Sequence, residues 1–149
     1  VGASNILGIE TPMNFNVPFI SVDIKDFWNR WHITLSTWLR DFVFSRIVMR
    51  FMRKKIFKKR LTTAMVAYMI NMTFMGFWHG ITLNYIAYGF YHGILMAAFE
   101  WYQKKSKFYK KNKNKTWYKV ISWIITMHLV MFGFLIFSGK MSEWARKLI

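Results

Sequence analysis

The chain has no cysteine, two prolines and only six acidic residues among its 149. Without cysteine there is no disulfide, no thiolate metal site and no cysteine nucleophile. The two prolines, Pro12 and Pro18, lie near the start and bias the residues before them away from helix, so the chain begins as loop. The shortage of acid against 22 Lys and Arg leaves a net charge of +16. Charge of either sign is also missing from two long stretches, Leu61 to Phe99 and Val120 to Gly139. Among catalytic signatures, there is no Gly-x-Ser-x-Gly elbow, Walker loop or His-Glu-x-x-His motif.

What is present is apolar and aromatic: 54% hydrophobic residues and 20% aromatics, with 11 Met and 8 Trp. A bilayer core of about 30 Å needs roughly 20 apolar residues of helix. The second charge-free run fits one crossing. The first, nearly twice as long, fits two with a reversal near "HGITLNY", His79 to Tyr85. The expectation is an all-α, polytopic membrane protein with spans at about 61–79, 85–103 and 119–138. The alternative is a very apolar soluble helical domain.

The basic residues support the membrane reading. Seven lie in "RFMRKKIFKKR", Arg50 to Arg60, and eight in "KKSKFYKKNKNKTWYK", Lys104 to Lys119. Both segments flank the expected spans, where the positive-inside rule places cytoplasmic loops. Two loops on one side require an even number of crossings between them, which the hairpin supplies. Basic, aromatic-rich composition also occurs in nucleic-acid binders. Here the charge is confined to the membrane borders, so no nucleic-acid partner is expected and the lipid bilayer is.

Residues 1–60 form a different region: a loop, an interfacial helix and a basic amphipathic segment. Residues 61–149 hold the spans and a basic loop over 104–118. In the first region Asp23 is placed to cap a helix running through Asp26 and Arg30. Trp28, Trp31 and Leu35 fall on one stripe of it, with Asn29, Arg30, His32 and Ser36 around them. Arg30 and Asp26 have the i, i+4 spacing of an ion pair, and Arg40 and Asp41 are further candidates. The first residue is Val and no signal-peptide pattern precedes the body, which reads as a piece of a longer chain.

Four histidines, His32, His79, His92 and His128, are the candidate chemical groups. An ionisable side chain in an apolar span needs a partner, water or a function. His128 and His92 read as neutral imidazoles satisfied by neighbours, with Gly89 and Gly93 suggesting close helix packing around His92. His79 differs. It lies between Gly76 and Gly80, where the hairpin must break, and irregular backbone at membrane depth lines a cavity. Histidines without an obvious nucleophile suit general-base catalysis, in which a neutral imidazole takes a proton from a hydroxyl attacking an acyl donor. Metal or haem binding by His79 and His92 is the rival role, although no i, i+4 histidine pair is present. No metal site is therefore assigned.

"NFNVPFISVDIKDFWNRWHITLSTWLRDFVF", followed about 47 residues later by "GFWHG", resembles the membrane-bound O-acyltransferase (MBOAT) family. The likeness extends from about Ser4 to Lys140. "RDFVFSRIVMRFMRKK" is similar to the branch that handles D-alanine, and lacks the Pro-Leu-Gly-Gly run of polysaccharide O-acetylating relatives. The resemblance implies the C-terminal third of a helical bundle around a central funnel. It implies transfer of a D-alanyl group from a phosphopantetheine thioester, on a small acidic carrier protein, toward lipoteichoic acid at the cell membrane of a Gram-positive bacterium. No bound cofactor is implied.

The family's Trp-His-Gly histidine falls on His79 and its Arg-Trp-His histidine on His32. Trp28, Asn29, Arg30, Trp31, Trp78 and Gly80 are the expected funnel residues, with Trp38 packing on surrounding helices. Carrier docking is expected on Phe44 to Lys55, where Ile47, Val48 and Phe51 form an apolar patch ringed by Arg46, Arg50, Arg53 and Lys54. The same charges would also suit a plain anchor on anionic lipid. The alternatives to an acyltransferase are a non-catalytic membrane scaffold or export subunit for anionic cell-wall precursors, and a haem or metal protein.

Overall fold

The structure is a computed structural model that describes residue 4, residues 6–140 and residue 143; these residues contain helices and loops and no strand. After a short 3-10 turn at Pro18–Ile20 come α1 (Ile24–Arg30) and α2 (Ile33–Trp38). A π-helical stretch, Leu39–Phe44, leads into α3 (Ser45–Arg53). Three long helices follow, α4 (Arg60–His79), α5 (Leu83–Lys105) and α7 (Thr116–Phe137), with the short α6 (Lys107–Asn112) between the last two.

Helix α1 starts where the sequence places its cap. The Asp23 carboxylate accepts from the backbone N–H of Lys25 and of Asp26, both at 2.9 Å. These are donors that no helical carbonyl can reach. The helix does not continue through His32, however. It ends at Arg30, and His32 adopts a left-handed conformation (φ 48°) before α2 begins. Trp28, Trp31 and Leu35 therefore do not share one helical stripe. The reason is an upstream loop: Asn14 and Asn16 bond the two sides of the break, as described below.

Helices α4 and α5 form the hairpin expected from the long charge-free run, turning through Gly80 to Thr82. Their axes approach closely because small residues meet. A Cβ added at Gly89 would lie 2.9 Å from the Gly76 Cα, and one added at Gly93 would lie 3.0 Å from the Met69 Cα. Small residues at such crossings let backbones touch and gain dispersion contacts. Gly80 is required for a second reason. Its φ of 151° lies in a region open to glycine, and a Cβ there would strike the Tyr85 ring.

Helix α7 packs on α5 and also holds the N-terminal loop. Ser122 donates to the Val22 carbonyl (2.6 Å), and the Trp123 indole N–H donates to the Phe19 carbonyl (2.7 Å). Among the described helices, α7 is the one long and apolar enough to cross a membrane throughout. Helices α4 and α5 match it in length, at 20 and 23 residues, but their apolar character is diluted by Asn71, Thr73, Asn84 and several tyrosines. Of those polar groups, Asn71 and Tyr88 are buried and Thr73, Asn84 and Tyr85 half-buried.

One long-range ion pair ties α1 to α5. The Lys25 ammonium donates to Glu100 and, at 2.7 Å, to the Gln103 amide oxygen. It also lies 5.6 Å from the Tyr68 ring centroid and 5.9 Å from that of Phe99. Glu100 is buried. Breaking such a pair by removing one partner leaves an uncompensated charge in the core.

Candidate functional site

The break between α1 and α2 is organised around one side chain, Asn14. Its amide oxygen accepts from the Thr34 hydroxyl (2.9 Å) and the Thr34 N–H (3.2 Å), and lies 3.3 Å from His32 Nδ1. The Asn14 carbonyl accepts from the Ile33 N–H at 2.8 Å, and the Arg30 carbonyl accepts from the Asn16 N–H at 2.9 Å. These bonds offset the cost of a left-handed non-glycine residue. They also set the imidazole. In a neutral ring, an amide oxygen opposite Nδ1 favours the tautomer with the proton on that nitrogen and the lone pair on Nε2.

His79 terminates α4, and its ring is enclosed by aromatic groups. Trp78 lies 4.9 Å away between ring centroids, Phe137 5.2 Å, Tyr85 6.1 Å and Tyr88 6.5 Å. Neither of its ring nitrogens has a hydrogen-bond partner among the described residues, and the ring is half-buried. Trp78 joins the two histidines, since its ring also meets His32 edge-on at 5.8 Å. Helix ends 47 residues apart thus bring two imidazoles onto one indole. One is oriented by an amide; the other has no hydrogen-bond partner among the described residues.

The remaining expected funnel residues divide into groups. Trp28 and Asn29 line a cavity of about 520 Å³, together with Lys25, Arg40, Asn71 and Met75. Trp28 Nε1 and Asn71 Oδ1 are both buried without a partner among the described residues. Arg30 pairs with Asp26 at 2.8 Å, as its spacing suggested. Trp31 stacks on Phe27 and packs against Phe134, so it belongs to the core. Trp78 and Gly80 belong to the histidine end. The cavity does not include either histidine. It stops at Met75, one helical turn or about 6 Å before His79 along α4.

Residues 1–142 match the membrane-bound O-acyltransferase (MBOAT) family. The chain belongs to that family. It is 49% identical to the teichoic acid D-alanyltransferase of Streptococcus thermophilus over 99% of its own length and 38% of that relative's. Its identity to the Bacillus subtilis teichoic acid D-alanyltransferase is 48%, over 94% of this chain and 35% of the relative. A peptidoglycan O-acetyltransferase of Helicobacter pylori is 29% identical, over 100% of this chain and 26% of the relative. The chain therefore spans little more than a third of the length of the D-alanyltransferases it matches. MBOAT proteins are multi-pass membrane proteins, and the long helices of this chain are its share of that architecture.

The other two histidines of this MBOAT chain lie apart from the Trp78 cluster. His92 is not satisfied by a neighbour as its sequence setting suggested: it is fully buried, edge-on to Tyr88 (4.6 Å) and Trp28 (5.2 Å), because rings rather than hydroxyls or carbonyls face it, with no partner for either ring nitrogen among the described residues. Gly133 of α7 makes room for it, since a Cβ there would lie 2.5 Å from His92 Nε2. His128 faces outward and donates from Nδ1 to the Ile124 carbonyl one turn back, at 2.8 Å. Among the described residues, no three His, Asp or Glu side chains gather as metal ligands.

On α3, Arg46, Arg50 and Arg53 are exposed, while Ile47, Val48 and Phe51 are half-buried, Phe51 against Phe57 at 5.7 Å. The apolar groups that project furthest from this helix are Met49 and Met52, at 54% and 46% exposure. Periodicity alone did not single them out. Asn14 was also missed. The only sequence signal for it was an asparagine in a loop near proline, a pattern that marks turns in general.

Proposed function

We propose that this chain carries the catalytic end of an MBOAT acyltransferase that moves a D-alanyl group from a carrier-protein thioester to a hydroxyl of lipoteichoic acid. The observation that carries this reading is the His32–Trp78–His79 cluster. His79 acts as general base. Its neutral imidazole takes the proton of the acceptor hydroxyl as that oxygen attacks the thioester carbonyl. The new C–O bond forms, the C–S bond breaks, and the proton passes from His79 to the departing thiolate. His32, with Nδ1 committed to Asn14, presents Nε2 to the same space and positions the acceptor.

The name of the relatives, teichoic acid D-alanyltransferase, supports the acyl group and the acceptor. The cavity beside Trp28 and Asn29 supports the reading as room for the donor's arm, with Lys25 and Arg40 at its border. The basic face of α3 supports an acidic carrier protein docking there, through Val48, Met49 and Met52 inside a rim of Arg46, Arg50 and Arg53.

The test is transfer of labelled D-alanine in membranes holding the intact protein. His79→Ala should accumulate normally and lose a factor of about 10² to 10⁴ in rate. His32→Ala should be slowed less, and His128→Ala should retain activity. A His79→Ala protein transferring D-alanine at near the original rate would remove His79 as the base.

A further inference from the structure

A second concave surface lies far from the histidines. Between α5 and α7 runs a groove of about 480 Å³, walled by Leu95, Ala98 and Tyr102 on one side and Trp117, Ile125 and Leu129 on the other. Its side-chain hydroxyls already have partners: those of Ser122 and Thr126 both face the Val22 carbonyl, at 2.6 and 3.4 Å, and that of Tyr118 lies 3.4 Å from that of Tyr102. The groove is apolar along its length. From Trp117 to Leu129, α7 rises about 18 Å at 1.5 Å per residue. That is roughly half of a hydrocarbon core about 30 Å thick. It begins at the basic end of the span and stops near its middle.

Its mouth is different in character. Phe108 and Trp117 meet there at 6.1 Å, and the Tyr102, Tyr109 and Tyr118 rings pack together beside them. Aromatic rings of this kind belong at headgroup depth. Eight lysines lie between Lys104 and Lys119, the segment that also supplies Phe108, Trp117 and Tyr118 to the groove, and that segment contains no acid. All eight are exposed. Of these eight, only Lys104 has an acidic partner among the described residues, Glu100 at 3.8 Å, and Glu100 is already held by Lys25.

We propose that this groove is a binding site for one anionic phospholipid, with an acyl chain between α5 and α7 and the phosphate on the lysines of α6. Two features together select this occupant. An apolar slot about one leaflet deep fits a lipid chain. A dense, acid-free set of cations at its open end fits a lipid phosphate. A further protein helix would use the slot and leave the cations unmatched.

Trp117 makes the site measurable. The intact protein is placed in nanodiscs of zwitterionic phosphatidylcholine containing rising fractions of chain-brominated phosphatidylglycerol or chain-brominated phosphatidylcholine. The Trp117 signal is the difference between the protein and its Trp117→Phe variant. Half-maximal quenching by the brominated anionic lipid should need a fraction at least about fivefold lower than by the zwitterionic one, the preference one lysine near the surface confers. Ala98→Phe, which fills the slot and leaves every lysine in place, should erase that preference. The exposed triple substitution Lys107→Gln, Lys110→Gln, Lys111→Gln should erase it while leaving quenching by both lipids, and a thermal melt checks that each variant is folded. Equal quenching of the original protein by both lipids would show ordinary surrounding lipid and overturn the proposal. So would quenching by neither, which would place protein in the groove, and so would an anionic preference that survives in Ala98→Phe.

Discussion

Gly89→Ala is the sharpest perturbation of the hairpin that carries His79. The added methyl would lie 2.9 Å from both the Cα and the N of Gly76 and would press on the Met72 carbonyl oxygen. Carbon contacts sit at about 3.5–4.0 Å, so α4 and α5 must part locally by roughly 0.6–1 Å. All three obstructing atoms are backbone, and no side chain can rotate away. A gap of about 0.5–1 Å forfeits a quarter to a half of each contact's attraction, and overpacking of this kind costs about 1–3 kcal/mol. The consequence extends to the site because His79 ends α4 while Tyr85 and Tyr88, which flank its ring, belong to α5. A displacement of about 1 Å at a reacting group can cost on the order of 10²-fold in rate. Two measurements follow, the thermal midpoint of purified protein in detergent and the D-alanyl transfer rate at matched folded protein. Both should fall, and the rate should fall further than the folded fraction. A Gly89→Ala protein with an unchanged midpoint and an unchanged rate would refute the close backbone contact.

Burial raises the Asp23 carboxyl above its ordinary value of 3.8, against the opposing pull of the Asp26 and Lys25 N–H groups. The folded chain therefore holds this proton more tightly than the unfolded one, and this group's contribution declines as pH rises from about 3.8 through the raised value. Asp23→Asn keeps the cap without the charge, so its midpoint at neutral pH should equal or exceed the original. Asp23→Ala should lose about 1 kcal/mol, and equal damage from both would show that the charge itself is needed. Val48→Asp places a charge in the apolar patch of α3 and should abolish carrier binding while membrane insertion persists; unchanged affinity in a pull-down with purified carrier would move the docking surface elsewhere. Single cysteines introduced at Lys58 and at Lys113, the exposed neighbour of the buried Asn112, should both be protected from an impermeant thiol reagent in intact cells, and labelling of either would break the shared sidedness of the basic segments.

Much of this architecture is written locally along the chain. The charge-free runs, the basic borders, the Asp23 cap and the Arg30–Asp26 pair each depend on neighbours within a few residues or on composition over about twenty. Gly80 marks the hairpin turn because the backbone there needs a conformation open to glycine. Other features are not local. The Trp28–Leu35 spacing is the same whether the helix is continuous or broken, and the break is decided by Asn14, 18 residues before His32. Lys25 finds Glu100 at a separation of 75 residues, and Gly133 opens space for His92 across two helices. Sequence singled out His32 and His79 separately, but only packing sets both rings on Trp78 and leaves the nearby cavity one turn short of them. Periodicity and charge report the medium each segment prefers. Which faces meet is settled by steric fit between distant segments, and that fit exists only once the helices are assembled.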